Sequence, residues 1–271
     1  MKNRRALILG ESQTGKTHLV GQILGRTRSG LGVLKLRRLP ASLKMIEEVL
    51  SKLSQGLAAA HTPAGVYTET EFELCDDNDN VVQLVWPDYA GEQITEIVSR
   101  RALRPEWADR INTADSWTLL VRLSAVVNKK TVLEQKPTGE SSVDADDADN
   151  RIPDQLRLIE LLQILRRCRL MFDKEIPPLI ILVTCVDELI DFDNPRTALK
   201  NHLPLFVSYV DAHWSSKHCS FWGLSSLGME LSDIEPNRKF VEEGPERQGY
   251  VIDSHGDRDQ DLTRPFAALL G

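Results

Sequence analysis

At 271 residues, the chain is long enough for one large α/β domain carrying insertions. Its 41% hydrophobic and 27% charged residues are ordinary for a soluble globule, and a net charge of −7 argues against a nucleic-acid surface. Cys75, Cys168, Cys185 and Cys219 form no CxxC pair, which argues against a zinc knuckle or disulfide frame and for a reduced, cytoplasmic protein. No apolar run approaches the roughly 20 residues of a membrane span; the longest outside the N-terminus is LIILV at 179–183.

The first element is a short apolar strand, ALIL at 6–9. It runs into GESQTGKT, where Gly10, Gly15, Lys16 and Thr17 complete G-x-x-x-x-G-K-[ST]. Leu19, Val20, Ile23 and Leu24 then recur at helical spacing. Strand, glycine-rich loop and helix are the context a phosphate-binding P-loop requires. Glycine lets successive backbone N–H groups converge on phosphate oxygens, and the helix adds its positive end. Residues Gly10, Glu11, Ser12, Gln13, Thr14, Gly15, Lys16, Thr17 and His18 are therefore assigned to the nucleotide. Lys16 would reach the β- and γ-phosphates, and the Thr17 hydroxyl would bind Mg²⁺.

A helix is expected over 40–60, with Leu43, Ile46, Val49, Leu50 and Leu53 on one face and Gly56 as its stop. EFEL at 71–74 and VVQLVW at 81–86 flank the turn-forming DDNDN, so a β-hairpin is expected, supplying one antiparallel strand at a sheet edge. WTLLVRL at 117–123 reads as a core strand. Residues 128–153 hold KPTGESSVDADDADN without periodicity and read as a mobile acidic surface insertion. A long helix follows, with Leu158, Leu161, Leu162, Leu165, Cys168 and Phe172 along one face. PPLIILVTCVDEL is a buried strand with a polar end, 195–213 reads as helix, and CSFWGLSS at 219–226 reads as the last strand. Residues 230–261 show little pattern. DLTRPFAALLG closes the chain as a short docking helix capped by Asp261 or Thr263. Strands alternating with helices predict a single α/β domain over 1–271, a mainly parallel P-loop sheet with helices on both faces; 230–271 forms an irregular C-terminal extension.

WPDYAGEQ at 86–93 sits where a core strand ends, at the carboxyl edge where ligands bind in such sheets. Asp88 there can hold Mg²⁺ through water, and the Gly91 N–H can meet a γ-phosphate. WPDYAGEQ looks like the D-T-A-G-Q-E segment of Ras-like GTPases. TCVD at 184–187 looks like their N-K-x-D or T-K-x-D base-reading motif, and SSLG at 225–228 like their S-A-K motif. The order of the four motifs resembles the TRAFAC class of P-loop GTPases. LSQGLAAAHTP at 53–63 and the closing DLTRPFAALL are similar to the bacterial double-GTPase group within that class.

The resemblance implies GTP and GDP as ligands, with Thr184, Cys185, Asp187, Ser225, Ser226 and Leu227 on the base side. A carboxylate at Asp187 accepts two parallel hydrogen bonds from guanine N1–H and its exocyclic amine; adenine offers no such pair. The alternative is that Asp187 caps the next helix. Cys185 departs from the family's Lys, whose stem would cover the face of the base. A switch threonine is expected at Thr62, with Thr68 and Thr70 in the hairpin itself, so Thr17, Thr62 and Asp88 form the expected Mg²⁺ set. The water-orienting Gln of Ras-like proteins is replaced by Glu92, with Gln93 next. Either Glu92 or Gln93 orients the water, or unaided hydrolysis is slow and regulated by a partner. His202, His213, His218 and Cys219 match no zinc spacing.

The expected function is therefore a bacterial GTP-hydrolysing switch, with Lys16, Glu92 and Gln93 as its catalytic residues and a protein effector or regulator on its switch segments. The resemblance implies a setting in defence or conflict systems. Neither nucleic acid nor membrane is expected as a partner, and the sequence leaves the oligomeric state open. A P-loop ATPase or kinase and a non-catalytic GTP-binding subunit are the alternatives.

Overall fold

The computed structural model describes residues 1–40, 44–59, 68–88, 92–126 and 153–271, excluding the side chains of Lys44, Met45, Thr68, Glu69, Pro87, Asp88 and Glu92. The acidic insertion, apart from Pro153, lies outside the described residues, as do Leu43, Thr62 and Gly91.

Strand β1 (Asn3–Gly10) leads through the glycine-rich loop into α1 (Lys16–Arg28). Then come β2 (Lys35–Arg38), α2 (Lys44–Ser54), β3 (Thr68–Cys75), β4 (Val81–Asp88), α3 (Glu92–Arg100), α4 (Pro105–Thr113) and β5 (Ser116–Arg122). The second half holds α5 (Asp154–Met171), β6 (Leu179–Thr184), α6 (Pro195–His202), α7 (Pro204–His213), β7 (Cys219–Ser225), α8 (Arg238–Glu243), β8 (Tyr250–Ile252), β9 (Arg258–Asp259) and α9 (Arg264–Ala267). They build one nine-stranded sheet in the order β2-β3-β4-β1-β5-β6-β7-β8-β9.

The five central strands β4, β1, β5, β6 and β7 run parallel. Their near-continuous apolar runs follow from helices covering both faces. Alternate residues of each strand serve alternate layers. Leu7 and Leu9 of β1 and Ile181 and Val183 of β6 pack with α3 to α7, through Ile94, Trp107, Leu161, Leu165 and Phe206. Ala6 and Ile8, with Ile180 and Leu182, pack with α1, Ile46 of α2 and the C-terminal Phe266 and Leu270.

The expected fold class is the observed one, with differences at the edges. The hairpin strand β3 is not the rim, because β2 pairs outside it. Strand β7 is not the last: β8 and β9 extend the sheet antiparallel beyond it. Three- and two-residue strands carry no readable alternation, so the 230–261 region hid them. The expected helix over 195–213 is two helices, since Leu203 at φ −135° breaks the first and Pro204 opens the second at a position where its missing N–H costs nothing. Phe172 lies past the end of α5 and is exposed, whereas Leu158, Leu161, Leu162, Leu165 and Cys168 are buried as the spacing implies. At the C-terminus neither Asp261 nor Thr263 caps a full helix. Asp261 Oδ1 accepts the Thr263 N–H at 2.9 Å, and four residues of α-helix tighten into a 3-10 turn.

No helix among the described residues is long and apolar enough to cross a membrane.

Candidate functional site

The parallel strands β1, β5, β6 and β7 end on one side of the sheet, and their carboxyl ends open into a cleft of about 800 Å³. Its floor is the loop between β1 and α1: Ser12, Gln13, Thr14, Gly15, Lys16, Thr17 and His18 all line it. Gly15 takes φ +76° as the N-cap of α1, a left-handed conformation that favours glycine. A Cβ built there would meet only Cys185 Sγ, at 3.8 Å, so the loop faces open space at the helix's positive end. Thr14 Oγ1 donates to Glu11 O at 2.9 Å, and Lys16 Nζ donates to the carbonyls of Gly10, at 2.8 Å, and Glu11.

Glu11 is differently placed from the rest of its loop. Its carboxylate takes a two-pronged ion pair from Arg157 of α5, with Nε and Nη2 each at 2.6 Å, and Arg157 also holds Asp154 Oδ1 at 2.8 Å. Burial works against the Arg157 charge, and the hydrogen bond and charge of Glu11, with Asp154, outweigh it and raise its pKa. The Glu11 side chain thus anchors the loop from behind, while its carbonyl serves Lys16.

The other end of the cleft is formed by Thr184, Cys185 and Asp187 after β6, and by Ser226 and Leu227 after β7. Cys185 stands in a left-handed conformation (φ 55°), followed by a 3-10 turn over Val186–Glu188 that leaves Asp187 exposed. Ser225 is fully buried beneath the wall, its Oγ accepting the Gly228 N–H at 2.8 Å. Arg26 Nη2 of α1 donates to the carbonyls of Gln248 and Gly249, in the segment that leads into β8. Ala59 N–H donates to His18 Nε2 at 3.0 Å and Ala58 N–H to Ser232 O at 2.8 Å, tying the segment after α2 to both ends of the cleft.

Thr17 is on the cleft wall, and Asp88 closes β4 opposite Thr68 at the carboxyl edge. Thr68 and Thr70 lie in β3, as the hairpin requires. Glu92 opens α3. Gln93 does not line the cleft; its amide oxygen accepts from Trp107 Nε1 at 3.0 Å. Sequence reasoning missed Arg122, Arg157 and Arg26. Arg122, the last residue of β5, lines the cleft and donates from Nη1 to Gln13 O at 3.1 Å. Its position at a strand's carboxyl end was the available signal.

A family model described as "Double-GTPase 1" matches residues 7–269. Among curated proteins none matches. One of the similar solved structures is a bacterial selenocysteine-specific elongation factor, at 11% identity and a TM-score of 0.38. The similarity covers 83% of this chain and 26% of that one.

Proposed function

Because the chain belongs to the double-GTPase family, we propose that it binds GTP across this cleft, hydrolyses it slowly to GDP and phosphate, and works as a switch toward a protein partner. The observation that carries the reading is the shared cleft. Lys16 and Thr17 line one end and Asp187 with Ser226 the other. A nucleotide with its phosphates on the glycine-rich loop therefore carries its base toward the carboxylate.

In this reading Lys16 turns to the phosphates, where charge-assisted hydrogen bonds are stronger than those to the loop carbonyls. Asp187 selects guanine by accepting from two adjacent N–H groups. Mg²⁺, when bound, would supply charge neutralisation for the triphosphate; Thr17, which lines the cleft, would hold it together with Asp88 and Thr62. Gly91 would donate its N–H to the γ-phosphate, and Glu92 or Gln93 would orient the water. The partner, a regulator or effector on the segments after α2 and β4, would raise the slow rate. We place the protein in the bacterial cytoplasm, in a defence or conflict system.

One observation favours a second reading, a GTP-binding subunit without turnover: the Gln93 carboxamide is held by Trp107 rather than facing the cleft. Single-turnover measurement with GTP separates the two. The first reading expects slow phosphate release that Lys16→Ala abolishes together with binding; GTP bound but never cleaved, even with a partner added, supports the second. Unchanged GTP affinity in Lys16→Ala protein contradicts both.

A further inference from the structure

Arg122 occupies a position that neither the phosphate loop nor the base-side motifs account for. Its register partner across the sheet is Thr184, so its side chain leaves β5 beside the start of the base-side turn. Four contacts fix the guanidinium. Nη1 donates to Gln13 O at 3.1 Å, Nε to Glu188 Oε2 at 3.0 Å and to Ser124 Oγ at 3.1 Å, and Nη2 to Glu188 Oε1 at 2.6 Å. It therefore joins the loop at one end of the cleft to the turn at the other. Both segments it joins carry an unusual backbone. Gln13 (φ 61°) and Cys185 (φ 55°) are non-glycine residues in the left-handed region, a conformation that persists only where its surroundings hold it.

Charge decides which part of a nucleotide this cation serves. The two-pronged pairing with Glu188 largely neutralises Arg122 at any distance beyond contact, so it is a poor attractor of phosphate. What remains available is the guanidinium's flat face and its rigid position. A flat, weakly hydrated guanidinium suits the face of a purine. Within the same cleft wall Cys185 stands where the similar base-reading motifs carry Lys, and its short side chain leaves the base less covered.

We propose that Arg122 is a nucleotide-affinity residue: held between Gln13 and Glu188, its guanidinium forms the wall for the base and ribose that Cys185 does not supply. This rests on the cleft being a guanine-nucleotide site. The cover comes from the neighbouring strand instead of from the motif itself.

The test measures equilibrium affinity for GDP and for a non-hydrolysable GTP analogue in wild type, Arg122→Ala, Arg122→Lys and Arg122→Ala/Cys185→Lys, with Asp187→Asn as a reference. Thermal midpoints without nucleotide show that each variant is folded. Arg122→Ala is expected to weaken both nucleotides by the same factor, about tenfold, the scale of losing one planar surface on which a base stacks. Arg122→Lys is expected to lose several-fold, because it keeps an apolar stem but loses the planar face. Cys185→Lys added to Arg122→Ala is expected to restore most of the affinity. Unchanged affinity in folded Arg122→Ala protein overturns the proposal, as does a loss confined to the GTP analogue. If wild type binds neither nucleotide, the reading of the cleft fails and the proposal with it. If wild type binds both and Asp187→Asn loses them while Arg122→Ala does not, only the proposal fails.

Discussion

Replacing Arg157 by Met keeps the stem of a buried side chain and removes its charge. The Arg157 side chain is 9% exposed and lies between Glu11, 22% exposed, and Asp154, 7% exposed. Removing one partner of a buried ion pair costs about 3–5 kcal/mol, because a charge remains where water solvates it poorly. Glu11 keeps some access to water but the more buried Asp154 loses this partner too, so the loss is at least the lower end, about 3 kcal/mol. In a domain of this size each kcal/mol moves the thermal midpoint by about 2–4 °C, giving a fall of about 6–12 °C. Glu11→Gln should cost far less, about 1 kcal/mol, since an amide still accepts from Arg157 and Asp154 still pairs with it. The assay is urea unfolding of all three proteins at neutral pH, followed by GDP titration. Arg157→Met should lower the midpoint without changing the slope, and should weaken GDP because Glu11 no longer holds the loop in place. A loss below 1 kcal/mol, or Glu11→Gln as damaging as Arg157→Met, would refute the claim that α5 anchors the phosphate loop through this pair.

Gly249→Ala should destabilise the chain by about 2 kcal/mol or more, given a left-handed backbone and a new Cβ pressed against main-chain atoms. Its φ is +86°, and that Cβ would press against Ser226 O and stand 2.7 Å from Ser225 O. Urea unfolding with GDP titration checks it; full stability with full affinity would show that the segment before β8 need not approach the turn after β7 so closely. Burial, aided by Glu188, pushes the Cys185 thiol up to about 12 from an ordinary 9.0. At pH 8 its thiolate fraction is then about 10⁻⁴, so alkylation of the native protein should be far slower than of the unfolded chain. The sign follows: this burial contributes stability in full below pH 9 and loses it as pH rises toward 12, because the unfolded chain gives up the proton first. Alkylation followed by mass spectrometry across this range checks it, and equal rates at pH 8 with and without urea would contradict it.

The phosphate loop was legible because its chemistry demands particular residue types within eight positions, and the strand and helix around it carry their own periodicity. Asp187 and Ser226 were legible by likeness, and the structure brings them to the cleft that Lys16 lines. The arginines were not. Arg157 meets Glu11 across 146 residues and Arg122 meets Glu188 across 66, pairings decided by which elements come together around the carboxyl edge of the sheet, which no local pattern records. Gln93 shows the converse: a residue type suited to orienting water, two residues past Gly91 in sequence, bonded instead to a tryptophan of α4. Pro204 was a readable break that helical periodicity on either side obscured.

The central claim is that this cleft selects guanine through Asp187. Competition binding of GTP, ATP and XTP to wild type and Asp187→Asn tests it most directly. Wild type should prefer GTP over both competitors, and Asp187→Asn should lose GTP and gain XTP, because an amide donates to the 2-oxo group that the carboxylate repels. Preference for ATP in wild type, or an unchanged preference in Asp187→Asn, would contradict the account.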